Sequence, residues 1–510
     1  MDSFSRRALI SVLAVAAIAV PVAGCGKDSE SGDSGKNPLD NALGYVPKNT
    51  PFVAVIETDP NSAQFKNATA IAKKFPFAGQ LQQQLEKSLS SSGNTTYEKD
   101  IKPLLGNEFV VGATNPKTFV DSASTADEAF IAAIQVKDGK KLTSAIEKGK
   151  PKELGEKDGA KLYQDDDSFA AVKDDVLVVA NSRRELEAGL TRRGKDERFD
   201  EDDFDKGTEG LPESAAVRTY FNLKQLIASD PDTKDAQKVK WVKALESFGL
   251  SASTGTDKID IDFNMGTDSE GLTDEDLPLA AGDESPEVAE RAGEFGFGLR
   301  GIDQIFNFAE SSAQAVNPSD FGSYETAKGT IEKQLKLDLE KDVFEQLSGD
   351  ITASASPSGS SLGLKAEVKD PAAFKKTLAA VTKVLPAIAQ SSGGTQVKIR
   401  KSGDLYSGTS STGTLAYGMV DDTFVLSDTP AGARAIAAAP TGSVPGAEGA
   451  FAMKADAGQL VTRALAQLGS SGQLGGALGA QLFAGPLGDL TGSVKSSTDG
   501  VGGKITLTFK

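Results

Sequence analysis

Apolar residues along the chain occur mainly in short runs of strand length, many of them rich in β-branched residues. The first run is Phe52–Ile56, which follows a segment containing Pro and Asn. Five further runs in the first half have the same character: Phe109–Ala113, Phe130–Val136, Lys161–Tyr163, Phe169–Val172 and Val176–Val179. The pattern therefore predicts sheet structure assembled from many short strands.

Stretches with helical spacing separate these runs. One covers Ala63–Leu89, with a break near residues 75–77, and another covers Gly139–Lys148. Ser182–Leu190 is predicted to be a helix in which Ser182 is the N-cap and Glu185 completes a capping box. The chain thus alternates strands with helices.

Aspartate and glycine pairs lie between several neighbouring runs, as in tight hairpin turns. These pairs are Asp158-Gly159, Asp174-Asp175, Gly403-Asp404 and Asp421-Asp422. Because hairpins join antiparallel strands, we expect an α+β fold of antiparallel sheet with helices packed on one face. Two late runs, Lys258–Met265 and Lys504–Phe509, alternate apolar and polar residues, so one of their faces should be solvated.

Four segments of the second half repeat segments of the first half in the same order, at an offset of about 240 residues. The pairs are Glu98–Ile101 with Glu340–Val343, Val136–Asp138 with Val368–Asp370, Asp174–Val179 with Asp421–Leu426, and Lys258–Phe263 with Lys504–Phe509. We interpret this as a duplication with copies at 39–267 and 288–510, joined by an acidic linker at 268–287. The alternative is that generic strand-turn-helix sequences produce the similarity.

A different pattern begins the chain. Two arginines precede an apolar run from Ala8 to Val22, which two small residues separate from Cys25. The run is shorter than the roughly 20 residues that a membrane-spanning helix needs. We interpret residues 1–24 as a lipoprotein signal peptide and Val22-Ala23-Gly24-Cys25 as a lipobox, where a peptidase cuts before Cys25 and the thiol carries a lipid. The alternative is a secretory signal in which Cys25 is incidental.

The residues after the lipobox predict a tether, assigned to residues 25–38. Gly26–Lys36 consists almost wholly of Gly, Ser, Asp, Glu and Lys, which cannot bury enough apolar surface to fold. Its root-mean-square reach is roughly 18 Å, at about 5–6 Å times the square root of length. We therefore expect lipid anchoring on the extracytoplasmic face of the cell membrane. Export by a twin-arginine route, read from Arg6-Arg7, and export by the Sec route both stay open.

Composition narrows the possible chemistry. The chain has 55 Lys and Arg against 72 Asp and Glu, a net charge of −17, which argues against nucleic acid as a partner. It contains no histidine and one cysteine. Histidine-dependent catalysis, histidine-ligated zinc and disulfides are therefore excluded, and so is a thiol nucleophile once Cys25 carries lipid. We expect no enzymatic activity, no catalytic residue, no metal and no cofactor.

Two groups of acidic residues are candidates for calcium binding or for carboxylate-dependent catalysis. Asp196–Asp205 could bind calcium through carboxylate oxygens, but it lacks the EF-hand glycine and closing glutamate, and a solvated loop is the alternative. Asp165–Asp167 and the paired aspartates at 174–175 and 421–422 could supply two carboxylates for glycoside hydrolysis. Turn formation is the simpler explanation for the aspartate pairs.

The segment Leu460–Leu490 is rich in Gly, Ala and Leu. It could form a pliable helix pair that lines a cavity for a lipid-like ligand, or a helix packed closely on the sheet. The candidate lining residues are Leu465, Leu468, Leu478 and Leu482. The single tryptophan, Trp241, has helical spacing with Val242 and Leu245 and is predicted to be a core anchor.

The lipobox, the polar tether, the segment Tyr45–Pro51 and the following Phe52–Asp59 resemble an uncharacterised family of actinobacterial-type lipoproteins, known only as a domain of unknown function. The resemblance implies a location and an architecture, and it brings no catalytic residue with it.

Taken together, these patterns lead us to expect a lipid-anchored, non-enzymatic binding protein at the cell envelope. Its partners would be the membrane, through the lipid on Cys25, and an envelope protein or a lipid-like ligand. A carrier of an apolar ligand is the alternative function, and a carboxylate-dependent hydrolase is the third.

Overall fold

The computed structural model describes residues 37–80, 97–120, 129–165, 168–195, 197–291, 294–347, 349–356, 362–391, 397–410, 413–469 and 483–510. The chain divides into two compact units. Unit 1 comprises residues 1–234 and 245–266 with Phe509, and unit 2 comprises 235–244 and 267–508 with Lys510. The proposed limits of the duplicated copies stay predictions. Within the predicted linker, Leu277 is fully buried after a short 3₁₀ helix, Asp274–Asp276.

Unit 1 is built on an antiparallel sheet. Its described strands are β1 Phe52–Ile56, β2 Phe109–Ala113, β3 Phe130–Gln135, β4 Lys152–Lys157, β5 Ala160–Asp165, β6 Ser168–Lys173, β7 Val176–Ala180, β8 Val217–Asn222, β9 Leu245–Thr254 and β10 Lys258–Thr267. They lie in the order β4–β5–β6–β7–β3–β2–β1–β8–β9–β10. The first strand of the unit therefore lies inside the sheet.

Seven described helices of unit 1 connect or cover these strands. They are α1 Pro38–Leu43, α2 Ala63–Lys73, α3 Lys117–Val120, α4 Gly139–Gly149, α5 Arg183–Arg193, α6 Glu201–Gly207 and α7 Leu223–Ser229. A π-helix, Tyr97–Ile101, continues into a 3₁₀ helix, Lys102–Leu104, before β2. The predicted N-cap of α5 is confirmed, because Ser182 Oγ accepts a hydrogen bond from the backbone N–H of Glu185 at 3.2 Å. The Glu185 carboxylate, predicted to complete a capping box, lies 3.8 Å from Arg192 in the last turn of the same helix.

Unit 2 is also antiparallel. Its described strands are β11 Val288–Ala289, β12 Phe295–Leu299, β13 Ile351–Ala355, β14 Leu362–Glu367, β15 Lys398–Ser402, β16 Leu405–Ser410, β17 Gly413–Val420, β18 Thr423–Ser427, β19 Thr441–Gly442, β20 Phe451–Asp456, β21 Leu487–Ser497 and β22 Gly500–Phe509. The main sheet has the order β15–β16–β17–β18–β14–β13–β12–β20–β21–β22. Strands β11 and β19 form a separate two-stranded ladder.

The described helices of unit 2 include a long antiparallel pair. They are α8 Lys240–Ala244, α9 Ile302–Val316, α10 Pro318–Leu335, α11 Pro371–Ser391, α12 Pro430–Ala437 and α13 Ala457–Gly469. A π-helix, Glu340–Phe344, continues into a 3₁₀ helix, Glu345–Leu347, before β13. Unit 2 thus has the strand order of unit 1 and the same pair of unusual turns before its second main strand. A duplication would produce this correspondence, although the duplication itself stays a prediction.

The α+β class is confirmed, but the helices of unit 1 cover both faces of the sheet and not one. Successive residues of a strand point to opposite faces. Val178 joins a cluster with residues of α1, α5 and α6, whereas Leu177 joins a second cluster with α4 and the π-helix. The central strands are apolar on both sides, as in Val176–Ala180, so both sides need a cover.

In unit 2, two glycines of β12 allow a crossing segment of backbone to cover one face of the sheet. Residues 287–289 cross closely over β12, whose sequence is Phe-Gly-Phe-Gly-Leu. A Cβ on Gly296 would collide with the carbonyl oxygen of Ala289, and one on Gly298 with that of Glu287. The two buried glycines therefore leave the room that the backbone of β11 needs.

We predict that Gly298→Ala lowers the free energy of unfolding by about 1–3 kcal/mol, the usual range for overpacking a buried site. Urea denaturation of the full chain, followed by circular dichroism, measures the change. Gly322→Ala is the matched control, because Gly322 is exposed on α10 with no atom within 4 Å of the added Cβ. It should stabilise the helix by up to about 1 kcal/mol. Equal effects of the two substitutions would contradict the close crossing over β12.

Candidate functional site

Two adjoining cavities in unit 2 form an open groove where β20 ends and α13 begins. The cavities have volumes of about 490 and 290 Å³, and Asp456 and Gln459 line both. We call them together the α13 groove. The larger cavity is further lined by Gly458, Thr462, Arg463, Ala484, Gly485 and Lys510. The smaller one is further lined by Ala289, Glu290, Arg291, Glu294, Lys454, Ala455 and Asp489.

Asp456 organises the floor of the groove. As the last residue of β20 it caps α13, because its carboxylate accepts hydrogen bonds from the backbone N–H of Gln459 at 2.8 Å and from Gln459 Nε2 at 3.1 Å. Burial alone would raise the pKa of Asp456. The hydrogen bonds from Gln459 and the positive charge of Lys510 outweigh burial and lower that pKa below its ordinary value. Asp456 therefore stays ionised near neutral pH.

The wall beside β12 carries paired charges. Lys454 Nζ lies 2.6 Å from the Glu290 carboxylate, and Arg291 lies 2.9 Å from the Glu294 carboxylate. Arg291 also donates a hydrogen bond to Ser354 Oγ at 3.1 Å. The groove thus combines cations, carboxylates and an amide, a set that suits a polar or zwitterionic group. Among the residues that the structure describes, no cluster of three Asp, Glu, His or Cys side chains could hold a metal ion.

The predicted site residues fall largely outside what the structure describes. Cys25, Leu478 and Leu482 lie outside the described residues. Leu465 and Leu468 lie in α13, where only their backbone is described. The apolar cavity therefore stays a prediction. What the structure shows at the start of the Leu460–Leu490 segment is the α13 groove, whose lining combines charged and apolar groups.

The acidic segment before β8 forms a helix, α6, and the expected solvated loop is corrected. Asp200 caps this helix by accepting a hydrogen bond from the backbone N–H of Asp203 at 2.9 Å. Asp203 lies 3.3 Å from Lys48 Nζ, and Asp205 lies 3.3 Å from Arg218. Phe204, in the same segment, is fully buried. Acidic residues in the first turn favour a helix N-terminus, which explains why so charged a sequence folds here.

The hairpin interpretation of the aspartate pairs is confirmed. The pairs occupy the turns β4–β5, β6–β7, β15–β16 and β17–β18. Asp174 and Asp175 have φ angles of 48° and 61°, and Asp158 precedes Gly159 with φ angles of 49° and 76°. Two successive residues with positive φ are typical of the type I′ turn. These aspartates shape the backbone of the turns.

Trp241 is half-buried in α8, and its ring packs edge-on against Phe308 of α9 with centroids 6.3 Å apart. Trp241 thus takes part in helix packing as a half-buried residue, whereas Leu245, which was predicted to share its helix, is the first residue of β9. The groove residues were not predicted from sequence, because they come from four separate segments, at 289–294, 454–463, 484–489 and 510. One local signal was available, since Asp456 followed three residues later by Gln459 is a helix-start pattern.

The structure defines a protein of two antiparallel α+β units, the second of which carries the α13 groove. The family model described as "Protein of unknown function (DUF3352)" matches residues 8–451, so the chain belongs to this family. No curated protein matches the chain.

Solved structures similar to the chain include crystal forms III, IV and I of TP0453, which are 7%, 9% and 11% identical to it. The alignments cover 46%, 44% and 44% of this chain and 82%, 80% and 78% of theirs, with TM-scores of 0.26, 0.26 and 0.25. Scores of this size support no conclusion about fold or function. Among the described residues, no helix combines the length and apolar character needed to cross a membrane.

We predict that Asp456→Ala lowers the free energy of unfolding by about 1 kcal/mol near neutral pH through loss of the α13 cap. Because the folded-state pKa is lowered, the carboxylate's contribution is complete above the ordinary pKa of 3.8 and is lost as pH falls through the folded-state pKa. Urea denaturation at a series of pH values from about 7 to about 2.5 measures the difference between the variant and the wild type.

Thr429→Ala is the matched control for this experiment. Thr429 caps α12 through a neutral hydroxyl, which accepts a hydrogen bond from the backbone N–H of Gly432 at 3.0 Å. Its loss should cost a similar amount at every pH. A cost of Asp456→Ala that does not shrink in acid would contradict the role assigned to the carboxylate.

Proposed function

We propose that this chain is a lipid-anchored extracytoplasmic protein that acts by binding at the cell envelope and not by catalysis. The observation that carries the proposal is the position of α1. This helix begins at Pro38, the last residue of the predicted tether, and inserts into the core of unit 1, where Ala42 and Leu43 are fully buried. The fold therefore starts where a lipid tether would end.

Polar contacts lock α1 in place. Asp40 lies 2.9 Å from Arg198, and Asn41 Nδ2 donates to Gln135 Oε1 at 2.7 Å. Arg193 donates to Asn41 Oδ1 at 2.5 Å. These partners belong to α5, to β3 and to the chain after α5, so the end of the tether is fixed to several parts of unit 1.

The tether limits how far unit 1 can stand from the membrane. Asn37 follows Cys25 by twelve positions. A fully extended chain spans at most about 3.3–3.6 Å per residue, or roughly 40 Å over this distance. A protein held this close meets ligands at the membrane surface. Its α13 groove offers both signs of charge for binding a ligand with a polar group.

A carrier of an apolar ligand is the second candidate, and one observation favours it. Phe483 is 49% exposed and adjoins Ala484, which lines the groove. A large exposed aromatic side chain beside a cavity suits contact with a hydrocarbon. In this version the polar group of the ligand would lie in the groove and its apolar part would lie along the Leu460–Leu490 segment.

We predict that Cys25→Ser abolishes lipid attachment and moves the protein from the membrane fraction to the soluble extracytoplasmic fraction. The reason is that only a thiol directly after the lipobox is modified. Fractionation of cells and mass spectrometry of the extracted full chain measure both effects. The control is Cys25→Ser with Ser29→Cys, which keeps one cysteine but displaces it from the lipobox and should also be soluble.

Membrane attachment of either variant would contradict the lipid anchor. Mass spectra of the same proteins, recorded under native conditions, distinguish the binding protein from the carrier of an apolar ligand. A further lipid mass that persists in the Cys25→Ser protein would support the carrier, because that mass is independent of the anchor. If neither the wild type nor the variant carries this further lipid mass, the result supports the binding protein and not the carrier.

A further inference from the structure

The outermost strand of the unit 2 sheet, β15, pairs with β16 alone among the described strands. Its sequence is Lys398-Ile399-Arg400-Lys401-Ser402, with three cations and no acid. All five residues follow one another in regular register with β16, and the three cationic side chains are exposed. In an antiparallel ladder about half of the backbone N–H and C=O groups of an outer strand point away from its partner. β15 is thus a regular, basic edge.

The equivalent strand of unit 1 is built differently. β4 has two lysines and two glutamates, and its register with β5 shifts between Glu153 and Gly155. Gly155 has a φ angle of 97° at this bulge. A β-bulge bends and twists an edge strand, which is a common way to prevent another strand from adding to it. Unit 1 therefore blunts its outer edge, whereas unit 2 leaves the corresponding edge regular.

The cations of β15 are also poorly neutralised within the described residues. Lys398 and Arg400 form no ion pair there, and Lys401 Nζ lies 5.4 Å from the centroid of the Tyr406 ring. The acid of the adjoining turn, Asp404, lies 3.6 Å from Lys375 on α11. In a chain with a net charge of −17, three exposed cations on one regular strand concentrate positive charge at this edge. Such a patch favours an acidic partner.

We propose that β15 is a docking edge to which an extended, acidic peptide segment of a partner protein adds as a further strand. Backbone hydrogen bonds to the outward groups of β15 would hold the segment. Its carboxylates would meet Lys398 and Arg400 on one face and Lys401 on the other, because side chains alternate along a strand. This inference goes beyond the proposed function and does not depend on the lipid anchor.

A synthetic peptide tests the proposal. The probe is a fluorescent, end-capped hexapeptide of alternating Glu and Val, titrated with the full chain in zwitterionic detergent and followed by fluorescence anisotropy. We expect saturable binding that weakens as salt is added. Lys398→Glu with Arg400→Glu should weaken binding at least tenfold. The matched control, Lys152→Glu with Lys157→Glu on β4, should leave it unchanged.

Two N-methylated versions of the probe separate strand addition from simple charge attraction. Each carries methyl groups on alternate backbone nitrogens, in one register or the other, and keeps every carboxylate. At least one should lose binding, because it cannot donate hydrogen bonds to β15. Equal binding of all three peptides would overturn the proposal in favour of charge attraction alone. No binding of the unmodified probe would overturn it too, and would show that the cations only protect the edge.

Discussion

The backbone hydrogen bonds of the first main strand in each unit are the constraint on which the rest of the structure depends. β1 lies between β2 and β8, so Val53 faces Gly112 on one side and Tyr220 on the other. β12 lies in the same way between β13 and β20. A strand buried in the middle of a sheet needs partners on both sides, and here one partner arrives far later in the sequence. The sheet of each unit is therefore complete only when a late strand, β8 or β20, has paired with the first main strand.

The pairing of the first main strand with a late strand also determines where α1, the α13 groove and the edge strands lie. In unit 1 it buries α1, and so fixes the point at which the predicted tether would leave the fold. In unit 2 it brings the end of β20 beside the segment before β12, which creates the α13 groove from residues such as Glu290 and Lys454. The same strand order leaves β4 and β15 outermost. The edge strand of unit 1 contains a bulge, whereas that of unit 2 is regular in register and basic.

Local features of the fold were predictable from sequence, and features set by distant partners were not. The run Phe52–Ile56 is a strand with the predicted limits, and the aspartate pairs are hairpin turns. These depend on residue type and short spacing. The pairing of β3 with β7, the helices on both faces of unit 1 and the assembly of the groove depend on partners that no local pattern names. Helix α6 was not predicted, because the high charge of its sequence favoured a solvated loop over the N-cap pattern at Asp200.

The central claim is that each unit closes around its first main strand and that unit 2 leaves the edge of β15 open. Hydrogen exchange of the backbone amides in the full chain tests this most directly. The account predicts that the slowest amides lie in β1 and β12 and that alternate amides of β15 exchange quickly. Uniformly slow exchange along β15, matching that of β12, would mean that the edge is covered and would contradict the account.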